Sequence, residues 1–200
     1  MQPRVLHRNI GILAGFIPLI VYGVLAGVPA AGVPVALAAA AAATVPACWS
    51  DLKKRMILAW ANLILFTGLF VLVIVPGMTA IIPWTGAIVN ASLAAVTFGS
   101  IATGTPFTLQ YAREMVEPAV REKPGFIRAN VMMTGAWGAV FAAGFVLACA
   151  GRVMPAPAGT VTGPLTYLVL AAGIVFTLWY PSHIMGKTPP SPVQAGNTDQ

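Results

Sequence analysis

Seven uncharged polar side chains lie deep inside long apolar runs and are the groups placed to do chemistry there: Asn62, Thr67, Asn90, Ser92, Thr134, Tyr167 and Thr177. None is an acid or a base. An asparagine surrounded by hydrocarbon must find a hydrogen-bond partner, and the ordinary use is a bond between helices, worth about 1 kcal/mol or less. A second use keeps Asn62, Asn90 and Thr134 together as the polar lining of a cavity for a small neutral solute. Proton-coupled pumps place Asp, Glu, His or Arg at mid-membrane, and the apolar runs contain none away from their ends. Paired carboxylates, a Ser-His-Asp set and a phosphate-binding glycine loop are likewise missing, so no catalytic residue is assigned and the chain is expected not to be an enzyme. His7 and His183 have no Cys or carboxylate beside them, so no metal site and no cofactor is expected.

The elements that must carry these residues follow from composition. Of 200 residues, 58% are hydrophobic and 8% charged, with a mean hydropathy of +0.84. Soluble domains carry about 25% charged residues; the solvent expected here is the bilayer. The fold class expected is all-α, a polytopic bundle of spans near 9–28, 33–49, 56–75, 79–98, 126–150 and 162–180. Together they form a single membrane domain over 1–188, followed by a polar tail, 189–200, expected to be disordered. The first run is too long for a signal-peptide core and reads as a retained helix.

Charge fixes the threading. Arg4 and Arg8 precede the first run, Lys53, Lys54 and Arg55 follow the second, Arg113, Arg121, Lys123 and Arg128 follow the fourth, and Lys187 follows the sixth. Only Arg152 falls in an odd-numbered gap, so six spans with both termini in the cytoplasm put 10 of the 11 basic residues inside. The net charge of +6 is therefore assigned to orientation and anionic lipid, with no nucleic-acid partner. Cys48 and Cys149 fall at opposite ends of a core about 30 Å thick, too far apart for a disulfide.

Local signals refine the spans. Pro18 in the first run predicts a kink, and the Gly11/Gly15 and Gly23/Gly27 pairs permit close helix approach. Six consecutive alanines, Ala38 to Ala43, predict a second span surrounded by protein, whereas Leu, Ile, Phe and Val make the third lipid-facing. Ile17-Pro18 and Ile82-Pro83 lie at different depths, so no internal repeat is drawn from them. Between the fourth and fifth spans, Thr105-Pro106 reads as a helix start, and Phe107, Tyr111 and Met115 recur every four residues. That pattern predicts an amphipathic helix over 106–117 lying on the inner membrane surface and ending before Pro118. Trp49 and Trp84, then Trp179 and Tyr180, mark interfaces.

The layout resembles the intracellular septation protein A family of small bacterial inner-membrane proteins. Phe16-Ile17-Pro18-Leu19-Ile20-Val21 is similar to that family's early aromatic-Leu-Pro-Leu-Val segment. Thr105-Pro106-Phe107-Thr108-Leu109-Gln110 resembles its Lys-Pro-Leu-Ile-Gln, and Phe126-Ile127-Arg128-Ala129-Asn130 with Trp137 resembles its Trp-x-x-Leu-Asn…Trp. The likeness extends from about residue 9 to 185, with Phe126 in place of a tryptophan, a longer polar loop and an alanine-rich second span. It implies a bacterial inner-membrane protein that supports septation or envelope organisation, or an accessory subunit contacting other membrane proteins or itself. The residues expected to meet a partner or lipid are Pro106, Phe107, Gln110, Tyr111, Arg113, Arg128, Asn130 and Trp137. A facilitator for a small solute, and a lipid-binding or lipid-modifying protein working from Thr105 to Arg128, are the competing functions.

Overall fold

The computed structural model describes residues 14–28 and 30–185, with side chains at all of these but 158 and 182–185. The expectations for Arg4, His7, Arg8, Gly11, the side chain of His183, Lys187 and the tail 189–200 lie outside the described residues. Within them the chain is helical: α1 (Ile17–Ala26), α2 (Gly32–Ala47), α3 (Trp49–Lys53), α4 (Ile57–Ile74), a 3-10 segment (Thr79–Trp84), α5 (Thr85–Ala102), α6 (Phe107–Glu114), α7 (Pro118–Arg121), α8 (Pro124–Val153) and α9 (Ala158–Met185). Four stretches are long and apolar enough to cross a membrane: Ile57–Ile74, Thr79–Ala102, Pro124–Val153 and Gly159–Pro181. Ile17–Ala26 and Gly32–Ala47 are apolar but shorter. Over the described residues the protein is thus all-helical, with four helices fit to span a membrane.

Two open rows of three helices build the bundle. In the first, α2 packs against both α1 and α4; in the second, α8 packs against both α5 and α9. The second member is central each time, a pairing repeat that the two Ile-Pro steps did not disclose. Small residues bring the helices together: a Cβ added at Gly138 on α8 would stand 2.7 Å from the Phe98 ring on α5, and one at Gly173 on α9 would stand 3.2 Å from Trp137. The alanine-rich α2 buries Ala36, Leu37, Ala40 and Thr44, so protein covers one face and not the whole helix. On α4, Leu58, Asn62, Phe66, Leu69 and Val73 face inward while Ile64, Val71 and Ile74 are exposed, as a lipid-facing helix requires.

Proline and the turn residues move several boundaries. Pro18 has no N–H to give the Ala14 carbonyl, and the chain turns at Gly15 and Phe16 before α1 starts. The break lies just ahead of the proline, which occupies the second position of the new helix. Side chains satisfy the freed carbonyls: the Cys48 thiol reaches the Ala14 oxygen at 3.7 Å, and Asn62 Nδ2 donates to the Gly15 oxygen at 2.7 Å. The α6 helix ends at Glu114, ahead of Pro118, and Pro118 and Pro124 each open a helix, since the first helical position has no use for an N–H. The α8 helix, at 30 residues, is longer than the expected 126–150 span, and α9 runs through Pro181 to Met185, past its expected end at Tyr180.

Candidate functional site

The α6 segment shows how the charged end of the bundle is closed. Its four-residue apolar stripe is real, but the stripe faces protein and not lipid: Phe107, Thr108, Leu109 and Tyr111 are buried. Ser100 Oγ, and not the expected Thr105, accepts from the Phe107 N–H at 3.2 Å. Thr108 Oγ1 bonds to Thr134 Oγ1 at 2.7 Å and donates to the Asn130 carbonyl at 2.9 Å, which ties α6 to α8. Gln110 Oε1 accepts from the Ile57 N–H at 2.9 Å, filling one of the orphan donors at the start of α4. The helix is thereby wedged between the rows.

Above this wedge an aromatic stack crosses the bundle. Phe16 lies 4.0 Å from Trp137, ring on ring, with Phe141 5.6 Å from Trp137 and Phe107 edge-on to Phe16 at 6.5 Å. Trp137 Nε1 donates to Thr177 Oγ1 at 2.9 Å, so its only polar group is satisfied. All four rings are at most 2% exposed.

The charged groups gather at the same end. Lys54 pairs with Glu114 at 2.5 Å, Arg113 with Glu122 at 3.3 Å, and Lys53 sits 4.8 Å over the Trp49 ring. The buried Tyr111 hydroxyl faces Asp51 without closing a well-formed hydrogen bond. Burial lifts the Asp51 carboxyl above its ordinary range, opposed by Tyr111 and Lys54. Burial and the nearby Asp51 charge raise the Tyr111 phenol as well, so it stays protonated.

These positions revise the expected contact surface. Pro106, Phe107, Tyr111, Asn130 and Trp137 are buried and hold the bundle together, so they cannot meet a partner. Gln110 and Arg113 are half-buried, and Arg128 alone of the eight is exposed. A tryptophan, a phenylalanine and an asparagine beside a polar loop resemble an interface in sequence; here the loop folds back into the bundle and takes them with it.

At the opposite end a half-open cavity of about 290 Å³ lies between α1, α5, α8 and α9. Phe141 is its floor and belongs also to the aromatic stack, which separates the cavity from the charged end. Of its lining, Gly27 at the end of α1 and Gly163 near the start of α9 are exposed. Glycines make the space: Gly23, Gly27, Gly86, Gly144 and Gly163 line it. The polar lining side chains are Tyr22, Asn90, Thr162, Thr166 and Tyr167, with no ionisable acid or amine among them.

The three residues expected to share a cavity are separated. Asn90 lines it, with Nδ2 donating to the Gly86 carbonyl at 2.9 Å and Oδ1 packed against Gly144. Asn62 holds the broken first helix, and Thr134 holds α6, both inside the packed part. Tyr22 was not among the polar residues singled out in the sequence, although Tyr167 was, and both line the cavity. The Gly23/Gly27 pair was visible, and these glycines open onto the cavity; Gly23 also accepts from the Tyr167 hydroxyl at 2.6 Å. The two cysteines are unpaired, Cys48 buried and Cys149 half-buried, and no cluster of metal-binding side chains occurs among the described residues.

No family model matches the chain, and neither a curated protein nor a solved structure is found to be similar to it.

Proposed function

We propose that the protein is a non-enzymatic membrane carrier that takes up a small, neutral, weakly polar molecule in the cavity between its two rows. The observation that carries this reading is the cavity itself: a space of about 290 Å³, deep enough to reach Asn90 and stopped on one side by the Phe16–Trp137–Phe141 stack. A permanently open pore has no such stop, whereas a carrier requires a closed end. The pairing repeat, with two rows facing across the cavity, supports rocking of one row against the other as the opening motion. The proposed setting is a bacterial inner membrane crossed six times, with the Lys53–Arg55 and Arg113–Arg128 loops in the cytoplasm.

Thiol chemistry tests the reading. In a Cys48→Ala, Cys149→Ala background, Asn90→Cys is expected to react with N-ethylmaleimide at least about tenfold faster than Thr134→Cys, since only a wetted thiol ionises and meets the reagent. Equal, slow labelling at both positions would remove the cavity from consideration.

A second reading, the septation or envelope accessory protein that the family resemblance implies, is favoured by one feature of α9. Only 11% of its spanning window is buried, against 33% for each of the other three long spans. Leu168 and Val175 are 65% and 63% exposed there, an apolar side on which another membrane protein could sit. A photocrosslinking residue at position 168 should then capture one defined protein; adducts to lipid alone refute that arrangement.

A further inference from the structure

The cavity offers hydrogen-bond acceptors almost exclusively, because nearly every polar proton on its wall is already given to the protein. The Tyr22 hydroxyl donates to Thr85 Oγ1 at 2.9 Å and the Tyr167 hydroxyl to the Gly23 carbonyl at 2.6 Å. On α9, Thr162 Oγ1 donates to the Gly159 carbonyl at 2.8 Å and Thr166 Oγ1 to the Thr162 carbonyl at 2.9 Å. Asn90 spends one of its two amide protons on the Gly86 carbonyl at 2.9 Å. The second Asn90 amide proton is the one side-chain donor left on the wall; each hydroxyl oxygen and the Asn90 carboxamide oxygen retain lone pairs.

Resting on the carrier reading, we infer that the site selects a neutral molecule with an apolar body and one or two O–H or N–H donors, such as an alcohol, a phenol or an uncharged amide, and rejects anions. Two physical terms set the preference. A ligand bringing a proton engages lone pairs that lack a partner, whereas a ligand bringing only acceptors meets oxygens of its own sign and the single Asn90 proton. An anion fares worse, since a carboxylate leaving water needs several donors or a cation, and no Lys or Arg is among the lining residues. Open space remains at Gly86, where a Cβ would meet no heavy atom within 4 Å, while the Tyr167 ring lies against Gly23 and the Asn90 carboxamide against Gly144.

Four molecules of nearly one shape separate these terms: toluene, benzyl alcohol, benzaldehyde and benzoate. Each is titrated against the protein in lipid nanodiscs while the Asn90 side-chain amide resonance is followed. Gly86→Leu is the reference for partition into lipid, since a Cβ at position 86 meets no heavy atom within 4 Å and the added bulk enters open space. Benzyl alcohol is expected to bind about five- to tenfold tighter than benzaldehyde, the effect of one hydrogen bond, with benzoate showing no saturable shift. Asn90→Ala, followed through the threonine methyl resonances, removes the one free donor an aldehyde can use and leaves the hydroxyl oxygens in place, so the alcohol's advantage should be kept or widened; its loss would overturn the donor preference. Equal affinity for toluene, alcohol and aldehyde, all abolished by Gly86→Leu, would overturn the donor preference and leave the carrier standing. No difference between the parent protein and Gly86→Leu for any of the four would overturn both.

Discussion

The two ends of this bundle are made from the same kinds of residue and finish in opposite states. At the charged end, the side chains of Thr108, Thr134 and Gln110 bond across elements, Thr108 also to the Asn130 backbone carbonyl, and aromatic rings fill the space between them. At the far end, Thr162, Thr166 and Asn90 bond within their own helices, of the cavity's polar side chains only Tyr22 and Tyr167 bond across to another, and space is left between the helices beside Gly86. A hydroxyl that bonds to another helix draws that helix in. One that bonds back to its own preceding turn holds nothing else, and its oxygen is left facing whatever lies beside it. The number of polar residues is therefore a poor guide to where a bundle is open; the direction of their protons is the better one.

The sharpest way to break the contrast is to remove the filling. Trp137→Ala deletes the ring stacked on Phe16 and the bond to Thr177, and is expected to cost about 3–5 kcal/mol, read as a large fall in melting temperature in detergent. A loss under about 1 kcal/mol would mean that the stack is not the floor of the cavity. Adding bulk should show the reverse asymmetry. Gly86→Leu in the hollow end should leave the melting temperature unchanged or slightly raised, since helix propensity favours it by about 1 kcal/mol, whereas Gly138→Leu must displace Phe98 and is expected to cost about 1–3 kcal/mol. Similar losses from both would erase the distinction between a hollow and a filled end.

A smaller effect is expected at the broken first helix. Asn62→Leu removes the donor that serves the Gly15 carbonyl and should cost about 1 kcal/mol, checked by unfolding in denaturing detergent. The protonation of Asp51 gives a pH signature at the filled end. Its carboxyl is raised in the folded protein, so the folded state holds the proton more tightly than the unfolded chain, whose value is near 3.8. Stability is highest below that value and falls as pH rises through the raised one. Asp51→Asn should flatten this slope; a variant that keeps it would assign the effect to other carboxyls. The exposed Lys54–Glu114 pair comes last, and Lys54→Ala should change the melting temperature hardly at all, as expected for a surface pair worth about 0–1 kcal/mol.

Much of the fold is legible from periodicity. The third span was placed at 56–75 and the helix is Ile57–Ile74, because a run of Leu, Ile, Phe and Val between the basic Lys53–Arg55 step and the Pro76-Gly77 turn admits little else. The boundaries at proline were harder: Pro118 and Pro124 each fit either the end of one helix or the start of the next, and only the partners of the neighbouring N–H groups decide. The site was legible one residue in three. Asn62, Asn90 and Thr134 look alike as isolated polar residues in apolar runs, yet only Asn90 meets open space, since the other two found a backbone carbonyl and a hydroxyl on another element.

Composition and the spacing of charge determined that this chain folds in lipid as helices, with its two internal basic loops gathered at one end. That outcome is local: each span must satisfy its own backbone bonds in hydrocarbon, and each cation must stay near water. Which rows form, that the apolar stripe of α6 packs against the bundle, and where the cavity lies were decided by the tertiary structure alone. Those features depend on groups more than 20 residues apart, such as the Thr108 and Thr134 hydroxyls and the Tyr167 hydroxyl with the Gly23 carbonyl, meeting at hydrogen-bond distance. The order of residues along the chain carries no record of such meetings.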